Sequence, residues 1–319
     1  MAQIWRLSKV WFAKETVKGT PVAVSKLISV TECTFTPIAV KVNDEGSLWT
    51  IDDVSTVDLA QQRLEVAISW AIKPNRTTDF FEACLGTAWV TGSDPYIHTF
   101  TLNNSNNHPA YTIYYEDEHT ERRATYGMLN EFWLSVDAQN HVLFNTSWIA
   151  QWALTDTTAS PTYDKEENFL SRKVTCTIAD TVAWLWSGTE LKLRTLNINF
   201  VKNLLEDFVL WNIVAWDIYN QQFWVAWDME LTYRDENLQW FNFDNDKKAM
   251  RILIQWDELI DTWPDVYNTI EITLWSVAFQ DWWHSGSNND IVTQNVGFIK
   301  EKWEPTNIEI KVTNTRATL

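Results

Sequence analysis

Hydrophobic and polar side chains alternate along most of this chain. Residues 31–42 (TECTFTPIAVKV), 63–72, 110–116, 131–136 and 141–149 place β-branched or aromatic residues at every second position or in short runs, the pattern of half-buried strands. In the second half, residues 191–200, 222–233, 250–255, 269–276 and 308–313 do the same. Only two segments carry a convincing helical spacing. The first is 77–85, where Thr77 or Thr78 supplies a cap and Gly86 a stop. The second is 235–241. The connection 156–168 (DTTASPTYDKEEN) is polar, contains Pro161 and has no apolar period, which marks a boundary. The pattern predicts a mainly β chain with domains at 1–155 and 156–319. Each is a β-sandwich or half-barrel with one short helix against its sheet.

The two halves also resemble each other. SWAI at Ser69 leads into KPNRTTDFFEACLG, and AWDM at Ala226 leads into ELTYRDENLQWFNFDN. At an offset of 157, Trp70 answers Trp227, Ile72 answers Met229, Asp79 answers Glu236 and Phe81 answers Leu238. Upstream, LWTI at Leu48 answers LWNI at Leu210 at an offset of 162. Their common order and half-length spacing predict an internal duplication.

Charge narrows the partners. With 25 basic and 42 acidic residues the chain carries a net charge of −17, which argues against gripping a nucleic-acid backbone, because that takes clustered Lys and Arg. No apolar run approaches the roughly 20 residues of a membrane-spanning helix. The start, MAQIWRLSKVWFAKE, is too often interrupted by charge for a signal peptide. The expectation is a soluble protein made in the cytosol, with no membrane partner.

One count is out of line. The chain has 21 tryptophans and only 8 glycines, where average usage puts glycine alone at about 7%. Several tryptophans, among them Trp152, Trp186, Trp263, Trp283 and Trp303, sit in turn-like surroundings where a residue able to adopt positive φ is expected. Two readings follow. The surface is rich in aromatic platforms, as in carbohydrate binders, or these codons are UGA, which some bacterial lineages read as glycine and others as tryptophan.

A search for chemistry returns nothing that predicts an enzyme or a cofactor. There is no phosphate loop, GxGxxG turn, HExxH helix, GxSxG elbow or CxxC pair. The five histidines, His98, His108, His119, His141 and His284, lack metal-ligand spacing; most fall in polar loops and read as solvated or incidental. Glu116, Asp117 and Glu118 are adjacent, so they cannot flank a glycosidic bond from opposite sides. They read as a solvated charge run. Asp244-Asn245-Asp246 opens like a calcium loop but lacks its glycine and closing glutamate. Cys33, Cys84 and Cys176 are odd in number and far apart, which implies neither disulfides nor zinc. Cys84, beside Phe80 and Phe81, reads as a small buried hydrophobe. No catalytic, cofactor or metal residue is assigned.

The N-terminal stretch carries a resemblance. The KET…GTPVAV segment (14–24), the ISVT strand (28–31) and the acidic EGSLW turn (45–49) resemble the opening of the two-domain tail tube proteins of long-tailed bacteriophages. The strand, acidic turn and helix unit in both halves also looks like that family, whose members commonly carry glycine where Trp11, Trp49 and Trp70 stand. The resemblance implies a virion structural protein assembled in the host cytoplasm. Three subunits would mimic a ring of six, and rings would stack into a hollow conduit through which DNA passes without specific binding. Its implied partners are further copies of itself and the tape measure, tail terminator and tail tip proteins. By the same resemblance, the acidic segment 43–61 is an extended loop that touches the neighbouring ring. Its candidate contact residues are Asn43, Asp44, Glu45, Asp52, Asp53 and Asp58; a simple surface hairpin is the alternative. The alternative function is a carbohydrate-binding or adhesin module that stacks exposed tryptophans on sugars.

Overall fold

The computed structural model describes residues 8–23, 27–44, 56–117, 121–153, 166, 168–233, 237–262, 265–286, 291–301 and 307–317. The first half contains β1 (Lys9–Lys14), β2 (Glu32–Asp44), β3 (Thr56–Ala71), α1 (Thr77–Leu85), β4 (Gly86–Thr91), β5 (Tyr96–Leu102), β6 (Tyr111–Glu116), β7 (Glu121–Asp137) and β8 (Leu143–Ala153). The second contains β9 (Val174–Ala179), β10 (Thr189–Leu191), β11 (Leu193–Val201), β12 (Leu205–Asp207), β13 (Asp217–Tyr219), β14 (Trp224–Thr232), α2 (Asn237–Phe243), β15 (Lys248–Thr262), β16 (Asp265–Ser285), β17 (Thr293–Lys300) and β18 (Ile308–Asn314). The chain is mainly β and antiparallel, as the alternation predicts.

Strand pairing runs β1-β6-β7-β8-β3-β2 in the first half and β9-β15-β16-β17-β14-β11 in the second. The halves share one 16-stranded sheet. They join where β11 pairs β7, Ile198 opposite Leu134, and where β18 bridges β16 to β5, with Ile310 opposite both Ile272 and Phe100. The segment 156–168, read as the boundary, lies almost wholly outside the described residues.

Two strands are far longer than the alternation suggests, because each bends and serves two sets of neighbours. β7 pairs β6 through its first residues and β11 through its last. The change comes at Tyr126 and Gly127, with register shifts on both sides. A Cβ at Gly127 would lie 2.8 Å from the Tyr111 carbonyl oxygen, so the strands approach there only with glycine. β16 pairs β15 and β18 before Val277 and β17 after it. An extra residue beside Asp281 shifts the register against β17. Such bulges bend strands.

Helix α1 is buried along almost its whole length. Phe80 packs on Phe12, Trp70 and Trp148, and Phe81 on Phe100, Phe132 and Phe144. Each such burial stabilises by about 1.5–3 kcal/mol. Gly86 ends the helix at φ 84, as predicted. The start differs: Arg76 is the N-cap and makes no side-chain cap bond. The Thr77 and Thr78 hydroxyls instead donate backwards to the carbonyls of Lys73 and Asn75. α2 begins at Asn237 and reaches Phe243, a shift of two residues from the expected span, and Phe241 packs on Phe279.

Candidate assembly surfaces

Seven strands, β2-β3-β8-β7-β11-β14-β17, run side by side across both halves. Alternation sends Val66, Phe144, Leu134, Ile198, Met229 and Val296 to one buried face. The other face takes the residues between them. It carries Glu65, Glu131, Asp137, Asp228 and Glu230, with Asn145, Ser135, Asn197, Asn199 and Asn295 among them. Cross-strand bonds knit this face over the junction of the halves. Ser135 Oγ donates to Asn197 Oδ1 at 2.8 Å, and Asn197 Nδ2 donates to Asp228 Oδ2 at 3.1 Å. Its cations are tied to acids: Arg63 meets Glu65 at 2.8 Å and Arg194 meets Glu230 at 3.7 Å. Partial burial pushes the Glu131 carboxyl above its usual range. The face is acid-rich and amide-rich, and Trp133, Leu143 and Ile149 lie on it as well.

The candidate contact residues fall on the β2–β3 hairpin. Asn43 pairs Val57, Val42 pairs Asp58, and Asp44 pairs Thr56, so the structure brings Asn43, Asp44 and Asp58 together at its far end. Glu45, Asp52 and Asp53 lie outside the described residues. The segment is therefore strand up to Asp44 and again from Thr56, longer in regular structure than an extended loop. A shift at Val40/Lys41 gives β3 one extra residue. Beyond it, Lys41, Val42, Asn43 and 56–60 are all exposed, so the ribbon is covered on neither face. A two-stranded ribbon is marginal alone in water, and this one presents Val40, Val42, Val57 and Leu59. Strand β2 also forms one end of the sheet, pairing only β3 among the described residues.

The matching excursion of the second half, between β11 and β14, behaves differently. Its β12–β13 hairpin folds back over the Ile149 end of the open face, burying Ala215 and Ile218 against Ala110, Tyr126 and Met128. Gln62 N–H donates to the Ile213 carbonyl at 2.7 Å, Arg63 bonds Glu206 at 2.7 Å, and the Tyr126 hydroxyl donates to Asp217. Its tip leaves Leu210 and Trp211 exposed.

Several titratable groups are buried inside the fold. Burial pushes the thiols of Cys33, Cys84 and Cys176 up to about 12, so none is a nucleophile at neutral pH. Cys84 is buried in the helix, as read from its neighbours. It also has a cation nearby that its local sequence does not show: Lys202, wholly buried, whose Nζ donates to the Ala83 carbonyl at 2.8 Å. Desolvation lowers that amine to about 7. His108, expected in solvent, is buried, and desolvation with the nearby Lys202 charge lowers it to about 3. His98 is buried too, bonded through Nε2 to Asn314 and the Arg316 carbonyl. Both correct the solvated reading; each sits in a polar loop or strand end covered by elements distant in sequence.

Among the described residues, no group of three or more His, Cys, Asp or Glu is placed to hold a metal. Glu116 pairs Lys9 at 2.8 Å and Asp246 pairs Lys248 at 3.0 Å, and each pair has one solvent-exposed member. Two buried groups and one half-buried group escaped sequence reading. Lys202 carries no local signal. Glu15 accepts from Gly19, Thr112 and Tyr126. Arg316 grips Asp79 with two bonds, at 2.7 and 3.0 Å. Compared with known proteins, the chain matches no family model and no curated protein.

Proposed function

We propose that this chain is a structural subunit of a phage tail tube and acts without catalysis. The observation that supports it is the seven-strand sheet that crosses both halves, apolar on one side and acid- and amide-rich on the other. Closed into a ring with further copies, such a sheet lines a channel with carboxylates and amides. That lining repels DNA phosphates and offers no cationic clamp, so the genome passes without specific binding. The shared order of strand partners in the two halves supports a duplicated unit, two per chain, and hence a trimeric ring with pseudo-sixfold symmetry. Contacts between rings are heterologous, so they propagate instead of closing. The β2–β3 ribbon, with its uncovered valines and Asn43, Asp44 and Asp58, is the element that reaches the next ring. A tape measure, a terminator and a tail tip protein would set the ends.

Negative-stain electron microscopy of the concentrated protein tests this. Stacked rings or hollow filaments are the expected result. Monodisperse particles at high concentration, also in the presence of a tail tip initiator, would overturn it.

One observation favours the second reading, a sugar-binding module. Trp186 and Trp275 border a groove of about 420 Å³ with Arg251, Glu271, Glu309 and Lys311, the aromatic and charged mixture that sugars use. Arg251 already stacks on Trp186, at 3.9 Å from the ring centre. A glycan array with binding abolished by Trp275→Ala would favour this reading.

A further inference from the structure

The tryptophans of this chain sit badly in two opposite ways. Among the described residues nine are exposed, Trp184, Trp186, Trp211 and Trp216 the most so. A large apolar ring left in water gains nothing from the hydrophobic effect. Trp211 is the extreme case. It is fully exposed and its backbone lies at φ 73, in the left-handed region. A bulky side chain there is strained, and glycine is not.

The second group is buried. Trp11, Trp70 and Trp227 lie in the core, and each indole N–H finds no acceptor. A buried indole ordinarily has one, because an unpaired buried donor costs its full desolvation. Trp148 shows the ordinary case, donating to Thr146 at 2.9 Å. Trp70 is also crowded: its ring centre lies 4.1 Å from that of Phe80 on α1, the tightest aromatic pair among the described residues. Trp70 on β3 and Trp227 on β14 stand at equivalent places in the two pairing orders. A glycine in a strand marks a spot where something must approach the backbone closely, and here that something is the helix ring above β3.

We infer that positions 11, 70, 211 and 227 are glycine in the chain that its own host makes, and that the host reads UGA as glycine. Strained, orphaned and exposed indoles then share one cause, and so does the deficit of glycine. The consequences reach the partners. The aromatic groove that supports sugar binding loses its rings wherever its codons are also UGA. A cell that reads UGA as stop ends the chain at position 11, which confines productive infection to hosts with the matching transfer RNA. The glycine assignment stands apart from the tail tube reading; the consequence for infection rests on it.

Two measurements decide it. The gene should carry UGA at all four positions, and the chain from its natural source should weigh less than 37.3 kDa, with peptides bearing glycine at 70 and 227. UGG codons at these positions, or a native mass of 37.3 kDa, would overturn the inference. A recombinant chain with all four replaced by glycine supplies an independent readout. Truncating three buried indoles in a well-fitted core removes about as much stability as an ordinary domain has. A cooperative melt at or above the Tm of the tryptophan form is the expected result, and an unfolded variant beside a folded tryptophan form would count against it.

Discussion

Single residues show how the core is closed from a distance. Gly86 has φ 84, and a Cβ on it would lie 2.7 Å from the His108 ring. Gly86→Ala should therefore lower stability by about 2 kcal/mol or more, read as a drop in Tm. Lys202 makes a prediction in pH. Its amine titrates near 7 in the folded chain and near 10.5 in the unfolded one. Between those values the unfolded chain holds a proton that the folded chain does not, so stability rises with pH across that window, by up to about 1.4 kcal/mol per unit. Below 7 both forms are charged and this contribution is flat. Denaturant titrations at pH 7 and pH 9.5 should show the rise, and Lys202→Met should flatten it. His108 acts at the other end: depressed to about 3, it withdraws stability as pH falls from its ordinary value toward 3.

At the scale of elements, the two excursions have opposite fates. The β12–β13 hairpin is held by Gln62, Arg63 and Tyr126, whereas the β2–β3 ribbon is bare beyond Val40. On the proposed function, replacing 43–61 by a tight turn should leave the Tm within a few degrees and abolish stacking, measured by melting and by microscopy on the same sample; tubes of normal length would contradict the proposed role. The strands and helices were legible because half-buried strands alternate and α1 buries a contiguous run ended by glycine. Bent β7 and β16 were seen only in part, since past a bulge the burial phase shifts and period two breaks. The short strands β1, β4 and β9 were missed for want of length. Of the candidate contacts, the strand register sets Asn43, Asp44 and Asp58 near one another. Lys202 and Arg316 were not legible, because their partners lie more than a hundred residues away.

The whole molecule is tied across its halves by more than sheet. Arg316, following β18, donates to Asp79, Thr78 and the Asn75 carbonyl at the start of α1. Arg316→Ala leaves a partly buried Asp79 unpaired and should cost about 3 kcal/mol, measured by urea unfolding; Arg316→Lys should recover only part of it, because lysine lacks the fork. The β18 strand has a further consequence. It lies between β16 and β5, so Thr101 waits for Glu309 and Phe100 for Ile310. Contacts that distant in sequence form slowly. During synthesis the edge of β5 stays open until residue 314 has left the ribosome, and the early half cannot reach its final shape in the meantime. A prematurely ended chain keeps that edge open, so β18 acts as a completeness check on the fold.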